Sequence, residues 1–167
     1  MDTSTTYMGL KLKSPIIVGS SDLTNNIDNI KQAEQYGAGA VVLKSLFEEQ
    51  IVTEDANLLN QDQMYFWYPE AMNYVRKFSI DNGIEAYLKH IDKAKKSVKI
   101  PIFASINCVT DEEWPKFAKK LEASGVDGIE LNISIPPTSN HFSSNLIEDM
   151  YINIIKAVLS EVDIPVS

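Results

Sequence analysis

Short apolar runs alternate with amphipathic segments along this sequence, and that alternation constrains the fold more than any other feature. The apolar runs have the length of strands, and small or polar residues bound each of them. The predicted elements follow one another as strand 14–19, helix 27–36, strand 39–44, helix 84–97, strand 99–106, helix 111–123, strand 126–134 and helix 145–161. Residues 163–167 have the pattern of the start of a fifth strand. A strand followed by a helix, repeated four times, predicts a parallel sheet.

Signals at the helix ends support this prediction. Thr24 and Asn25 can cap the first helix through their side chains, and Gly37 follows its last turn. Thr110 and Glu113 have the spacing of a capping box at the start of the third helix. The helix boundaries are therefore predicted from residue chemistry as well as from periodicity.

Two parallel architectures agree with the repeated units, a doubly wound sheet and a (β/α)8 barrel. A doubly wound nucleotide-binding sheet usually has a glycine-rich first turn, whereas residues 20–24 contain neither G-x-G-x-x-G nor a phosphate-loop Gly-Lys-Thr. A complete barrel needs about 250 residues, so four units plus the start of a fifth make about half of one. The predicted fold class is α/β, the N-terminal half of a TIM (β/α)8 barrel. The prediction is one domain, residues 1–167, with a polar and aromatic-rich insertion at 50–81 after the second strand.

Composition limits the classes of function. The chain has 167 residues, a formal net charge of −8 and a pI of about 4.7, which argues against nucleic acid or an anionic membrane as the main partner. Its single cysteine, Cys108, excludes an internal disulfide and is expected to be a buried small hydrophobe. His90 and His141 lack the spacing of metal ligands, so no metal site is predicted. Without a signal peptide or membrane span in the sequence, the expectation is a cytoplasmic protein that acts on a small molecule.

The strand at 126–134 carries the most informative pattern. Glu130, Asn132 and Ser134 alternate with apolar residues, so a regular strand places all three on one face. The run Gly-Ile-Glu-Leu-Asn-Ile-Ser at 128–134 resembles the fourth barrel strand of flavin-dependent dihydroorotate dehydrogenases. The resemblance implies that Asn132 contacts the flavin and the substrate.

Three further segments carry the resemblance. The segment 7–21 is similar to the start of these enzymes, where a hairpin precedes the first strand and a turn of small residues lies against the flavin; an ordinary strand-to-helix turn is the alternative. A Lys followed by Ser or Thr ends the second strand in the family, and Lys44 alone could equally be a solvated lysine at a strand end. Ser105 falls where relatives place Ser or Asn under the flavin. The implied cofactor is FMN, held by Gly19, Ser20, Ser21, Lys44, Ser45, Ser105 and Asn132.

Two departures from the family pattern affect the chemistry. The residue that is the usual catalytic base in these enzymes is replaced by Ile135, which cannot accept a proton. Nearby candidates for that role are Ser134, Ser139 and His141. Residues 63–72 lack the paired amides that hold dihydroorotate in relatives, and their aromatic rings form either a more apolar pocket wall or a loop packed on itself.

The resemblance therefore implies an FMN-dependent oxidoreductase that carries out hydride-type oxidation of dihydroorotate or a related small ring, in pyrimidine biosynthesis. The alternative is a non-catalytic barrel relative or fragment that binds a ligand or partner without turnover. A barrel lyase or isomerase for phosphorylated sugars is a third option, and it predicts a phosphate site after strands seven and eight. The open sheet of a half-barrel predicts either a homo-oligomer or a missing C-terminal half.

Overall fold

The structure, a computed structural model, describes residues 2–48, 69–109, 112–135 and 143–167, and within 69–82 the backbone alone. Its strands are β1 (Thr5–Tyr7), β2 (Leu10–Leu12), β3 (Ile17–Val18), β4 (Ala40–Val42), β5 (Leu46–Phe47), β6 (Ile102–Asn107) and β7 (Gly128–Leu131). Its α-helices are α1 (Ile27–Gln35), α2 (Pro69–Ser97), α3 (Glu113–Ala123) and α4 (Ser144–Leu159), and a 3-10 helix (Asp22–Asn25) precedes α1.

The strands of the main sheet lie side by side in the order in which they occur along the chain. β3 pairs with β4, β4 and β5 pair along one side of β6, and β7 pairs along the other side, all in parallel. Val166 then forms a parallel bridge with Ile129, so the fifth strand begins where the pattern predicts it. A doubly wound sheet reverses its strand order at a switch point, whereas a barrel wall does not. The order therefore confirms a half-barrel.

The two faces of the sheet are covered by different elements. Side chains of one face belong to the main apolar cluster beneath the helices, which includes Val41, Leu43, Ile102, Ala104, Ile106 and Ile129. Helices α1 and α3 contribute buried residues to the same cluster, namely Ile30, Trp114, Phe117 and Leu121. This helix-covered face is the outer wall of the half-barrel.

The antiparallel hairpin β1–β2 closes the amino end of the other face. Leu12, which is 2% exposed, packs in a separate cluster with Ala40, Val42 and Phe103. Gly128 lies beside this cluster, where an added Cβ would be 2.9 Å from the Phe103 ring and 3.0 Å from the carbonyl oxygen of Pro165. The inner face is thus apolar and tightly packed at its amino end, and the polar residues of the strands follow toward the carboxyl end.

Several element boundaries differ from the sequence-based expectation. Helix α2 begins at Pro69 and not near residue 84, so residues 69–81 of the predicted insertion are helical, and the rest of that segment up to residue 68 lies outside the described residues. Strand β7 ends at Leu131, three residues earlier than expected. The carboxyl end of this wall is therefore less regular than its hydrophobic pattern suggests.

The N-terminal caps differ as well. Asn26, and not Thr24 or Asn25, caps α1, because its side-chain oxygen accepts hydrogen bonds from the backbone N–H groups of Asp28 and Asn29. Thr24 and Asn25 belong to the preceding 3-10 helix. Helix α3 begins at Glu113 with Glu112 at the cap position and no side-chain cap, and Thr110 lies outside the described residues. The predicted glycine after α1 is confirmed, because Gly37 has a φ of 96°.

Candidate functional site

The wall of the half-barrel is interrupted where Lys44 and Ser45 leave it. β4 ends at Val42 and β5 begins at Leu46, and both pair with β6. The prediction that Lys44 ends a continuous strand is therefore wrong: Lys44 lies in a break between two short strands. The break frees both residues from the regular pairing of the sheet.

A tyrosine from α2 occupies the break. The hydroxyl of Tyr87 donates a hydrogen bond to the backbone carbonyl of Ser105 at 3.3 Å and accepts one from the backbone N–H of Ser105 at 3.1 Å. Its oxygen thus satisfies a donor and an acceptor that a neighbouring strand would normally pair. Burial raises the pKa of Tyr87 above its ordinary value, so the phenol keeps its proton.

Three serines and one carboxylate form a continuous hydrogen-bonded line across the strand ends, here named the serine chain. The Oγ atoms of Ser20 and Ser45 are 3.0 Å apart, and those of Ser45 and Ser105 are 2.7 Å apart. Ser105 donates to Glu130 at 2.8 Å. Ser45 and Ser105 are buried, with 7% and 0% exposure. The serine chain therefore links the turn after β3, the strand break, β6 and β7 in one network.

The carboxylate sets the direction of donation in the serine chain. A hydroxyl has one proton, and Ser105 gives its proton to Glu130, so Ser45 donates to Ser105. The oxygen of Ser45 is then an acceptor for the Nδ2 group of Asn132, 3.5 Å away. The oxygen of Ser20 accepts from the backbone N–H of Ser45 at 2.9 Å. The hydroxyl groups of Ser45 and Ser105 therefore donate in the direction of Glu130.

Lys44 forms an ion pair with a residue that the sequence-based prediction did not include. Its ammonium group donates a hydrogen bond to the carboxylate of Asp22, in the 3-10 helix after β3. That hydrogen bond and the charge of Lys44 lower the pKa of Asp22. The Asp22 side chain is 89% exposed and the Lys44 side chain 38%, so the pair lies at the surface of the site.

These groups surround one cavity of about 660 Å³ at the carboxyl ends of the strands, a volume within the range of small-molecule sites. Most of the predicted cofactor-binding residues line it. The lining residues are Ser20, Ser21, Asp22, Lys44, Ser45, Phe47, Glu130 and Asn132. Ser105 lies beneath, in contact with Ser45 and Glu130. Asp22 and Phe47 were not predicted, and neither carries a sequence signal that separates it from an ordinary loop residue.

Ser134 lies at a second cavity, of about 480 Å³, with Ile135 and Cys108 among its lining residues. The expectation that Ser134 shares a face with Glu130 and Asn132 is wrong, because β7 ends at Leu131 and the alternation stops there. Ser139 and His141 lie outside the described residues. Cys108 is buried as expected, and burial raises the pKa of its thiol.

The first cavity suits a flat, hydrogen-bonding ring. An added Cβ at Gly19 would meet no atom within 4 Å, so the turn before Ser20 leaves open space where a ring can approach the backbone. Hydroxyl, amide and ammonium groups line the cavity beside it. These donors and acceptors can form hydrogen bonds with the edge of a flat heterocyclic ring. In the part of the chain that the structure describes, no group of three His, Cys, Asp or Glu side chains could hold a metal ion.

The sequence matches the family described as Dihydroorotate dehydrogenase over residues 3–167, and the chain belongs to that family. Together with the strand order, this membership establishes the fold as the N-terminal half of a TIM barrel. No described helix is both long and apolar enough to cross a membrane.

Individual relatives agree with this assignment. The chain is 31% identical over 178 residues to the dihydroorotate dehydrogenase B (NAD(+)) catalytic subunit of Thermoplasma volcanium, covering 99% of this chain and 52% of that protein. It is 24% identical over 143 residues to the NAD-dependent dihydropyrimidine dehydrogenase subunit PreA of Escherichia coli K12, covering 84% of this chain and 34% of that protein. The chain spans about half the length of the dihydroorotate dehydrogenase relatives.

A solved structure gives a further comparison of the fold. An IMP dehydrogenase/GMP reductase-like protein from Corynebacterium glutamicum superposes with a TM-score of 0.51 at 10% identity, over 99% of this chain and 42% of that chain. At this level of identity the likeness concerns the fold alone.

Proposed function

We propose that the complete protein is an FMN-dependent oxidoreductase that carries out a two-electron, hydride-type reaction on a small ring substrate. One observation carries the proposal: Ser20, Lys44 and Asn132, from three separate segments, line one cavity at the carboxyl ends of parallel strands. That end of a barrel is where such enzymes place their chemistry. A cytoplasmic location and a role in pyrimidine metabolism are part of the same proposal.

The described residues would bind different parts of the flavin. Ser20, Ser21 and Asn132 offer hydroxyl and amide groups to the edge of the ring, and the open space at Gly19 admits its face. Lys44 brings positive charge, which offsets negative charge on a reduced ring. When bound, the flavin supplies the two-electron transfer. Ser45 and Ser105 fix the floor of the site through the serine chain.

Replacement of Lys44 tests this placement. Lys44→Ala should weaken retention of FMN and lower the reduction potential of the bound flavin, because a positive charge beside the reduced ring is lost. Flavin content and a spectroscopic potential titration measure both quantities. Lys31→Ala is the matched control, since Lys31 is an exposed lysine paired with Asp28 on α1.

The outcomes separate the two candidate functions. Unchanged flavin content and potential in Lys44→Ala would place Lys44 outside the flavin site. A colourless wild-type protein that added FMN cannot reconstitute would favour the non-catalytic barrel relative. Flavin loss in Lys31→Ala as well would indicate a general effect of charge.

Dihydroorotate should be a poor substrate. Ile135 occupies the position of the family's base, and Ser134 lines the second cavity and is not among the lining residues of the first. Loss of a general base costs about 10²–10⁴-fold in rate. Steady-state assays with fumarate, a quinone or NAD as acceptor measure this. Turnover on the order of 10 per second, an ordinary enzyme rate, would show that another residue accepts the proton, and Ser134, Ser139 and His141 would then be replaced in turn.

A further inference from the structure

We propose that the cavity selects an uncharged ring substrate that donates N–H groups over a ring of the same size that carries a carboxylate. This inference rests on the proposed function and names the substrate class of the same site. Three observations on the described residues carry it: the charge balance of the cavity, the pairing of Lys44, and the direction of the serine chain.

The charge balance of the cavity disfavours an anion. Its described lining contains one cation, Lys44, and two carboxylates, Asp22 and Glu130. The lysine already donates to Asp22, so part of its charge is offset before a ligand arrives. A substrate carboxylate would have to compete with Asp22 for Lys44 and would approach Glu130 against like charge. Such like-charge juxtaposition is a recognised means of rejecting a ligand.

The sequence adds no compensating cation from the connecting segments. Residues 48–68 include acidic side chains and neither Lys nor Arg, and residues 132–143 also lack both. Among the described residues that line the cavity, Lys44 is therefore the one cation that could recognise a substrate carboxylate.

The direction of the serine chain leaves an acceptor on Asn132, which lines the cavity. The hydroxyl of Ser45 donates to Ser105, and that of Ser105 donates to Glu130. The Nδ2 group of Asn132 donates to the oxygen of Ser45. The Asn132 side chain then has its carbonyl oxygen available to accept a hydrogen bond. A neutral cyclic amide or ureide supplies ring N–H donors to such a group, whereas a carboxylate supplies further acceptors.

Uracil and orotate are suitable probes, because they are the same ring without and with a carboxylate and are already oxidised. Each is titrated into the complete protein by calorimetry, and flavin absorbance is followed in parallel. We expect uracil to bind about tenfold more tightly than orotate, because the carboxylate meets like charge. Asp22→Asn should reduce the preference for uracil over orotate by up to about fivefold, the upper end for an exposed charge pair, by strengthening orotate binding alone.

Asp28→Asn is the matched control. Asp28 is an exposed aspartate that pairs with Lys31 on α1, so its replacement changes net charge equally and should leave both affinities unchanged. Tighter binding of orotate than uracil, binding of neither ring, or an equal effect of Asp22→Asn on both would overturn the inference. Flavin content, measured on the same preparation, tests the proposed function separately, because calorimetry detects the rings with or without flavin.

Discussion

At the scale of single residues, Glu130 determines the direction of the hydrogen bonds in the serine chain. It is the acceptor at the end of the serine chain, so its charge determines where the protons of Ser105 and Ser45 point. Glu130 lies in β7 and Asn132 directly follows that strand, and both line the same cavity. One carboxylate on the inner wall thus orients polar groups from three other segments.

At the residue level, the sequence indicated which strand-end residues lie together, whereas their role in binding FMN stays a prediction. Ser20, Lys44 and Asn132 line one cavity, and each belongs to a segment with a readable pattern. Asp22 and Tyr87 could not be predicted as partners, because their roles depend on contacts with residues 22 and 18 positions away. Nothing in the local sequence distinguishes a lysine that is paired across the turn from one that is not.

Tyr87 should make stability sensitive to alkaline pH. Its pKa is raised in the folded state, so the folded protein holds the phenol proton more tightly than the unfolded chain. This contribution is complete below the ordinary phenol pKa of 10.0 and is lost as pH rises above it. Tyr87→Phe should cost about 1–3 kcal/mol, because two backbone groups of Ser105 lose their partner, and should remove this part of the alkaline loss.

Urea denaturation at a series of pH values from neutral to alkaline measures both effects on the free energy of unfolding. Tyr36→Phe is the control, because Tyr36 is 88% exposed and its hydroxyl should add little. An alkaline loss in Tyr87→Phe as large as in the wild type would mean that other groups cause it.

At the scale of elements, the pattern predicted which segments pair but not where each one stops. Residues 39–44 read as one apolar strand, yet the strand breaks after Val42 because the hydroxyl of Tyr87 takes the place of a neighbouring strand beside Ser105. Helix α2 extends back to Pro69 through a segment whose composition suggested an insertion. The strand break depends on the position of α2 against the sheet, which is a tertiary property.

Replacement of two glycines by alanine should separate an effect on folding stability from an effect on FMN binding. An added Cβ at Gly39 would lie 2.0 Å from the backbone oxygen of Ser14, so Gly39→Ala should destabilise the fold by about 1–3 kcal/mol or more, as overpacking does. The same change at Gly19 meets no atom within 4 Å, so it should leave stability unchanged while weakening FMN binding.

Thermal unfolding and FMN titration of the two variants measure the contrast. Equal stability of Gly39→Ala and the wild type would show that the hairpin end can shift away from β4. Wild-type FMN affinity in Gly19→Ala would place the flavin farther from this turn.

At the scale of the whole molecule, the strand order was predictable because four consecutive strand–helix units leave few arrangements. The absence of a nucleotide-binding glycine motif then favoured the barrel, and the observed order agrees. The exposed apolar face of α4 was not predictable, since it depends on which helix faces remain uncovered. Helix α4 exposes Ile152, Ile155 and Leu159, which have the spacing of one helix face.

The isolated 167-residue chain should therefore associate or be poorly stable. Ile152→Lys combined with Ile155→Lys should reduce association, because it places charge on the exposed apolar face of α4. Sedimentation velocity measures the change. Asn153→Lys is the control, as it adds charge at a neighbouring exposed polar position.

A stable wild-type monomer with micromolar affinity for FMN, about −8 kcal/mol, would contradict this prediction. So would association of the double variant at the level of the wild type, because the contact would then lie elsewhere on the chain.

The hydrogen bond to Tyr87 also makes the backbone amide of Ser105 a probe of how helix α2 packs on the sheet. The amide hydrogen of Ser105 is held by a side chain of α2 and not by a strand. Its protection from exchange with solvent deuterium therefore depends on how often the helix lifts from the sheet, whereas neighbouring amides in β6 depend on separation of the strands. One amide at the base of the cavity thus records the docking of a helix that carries none of the cavity's described lining residues.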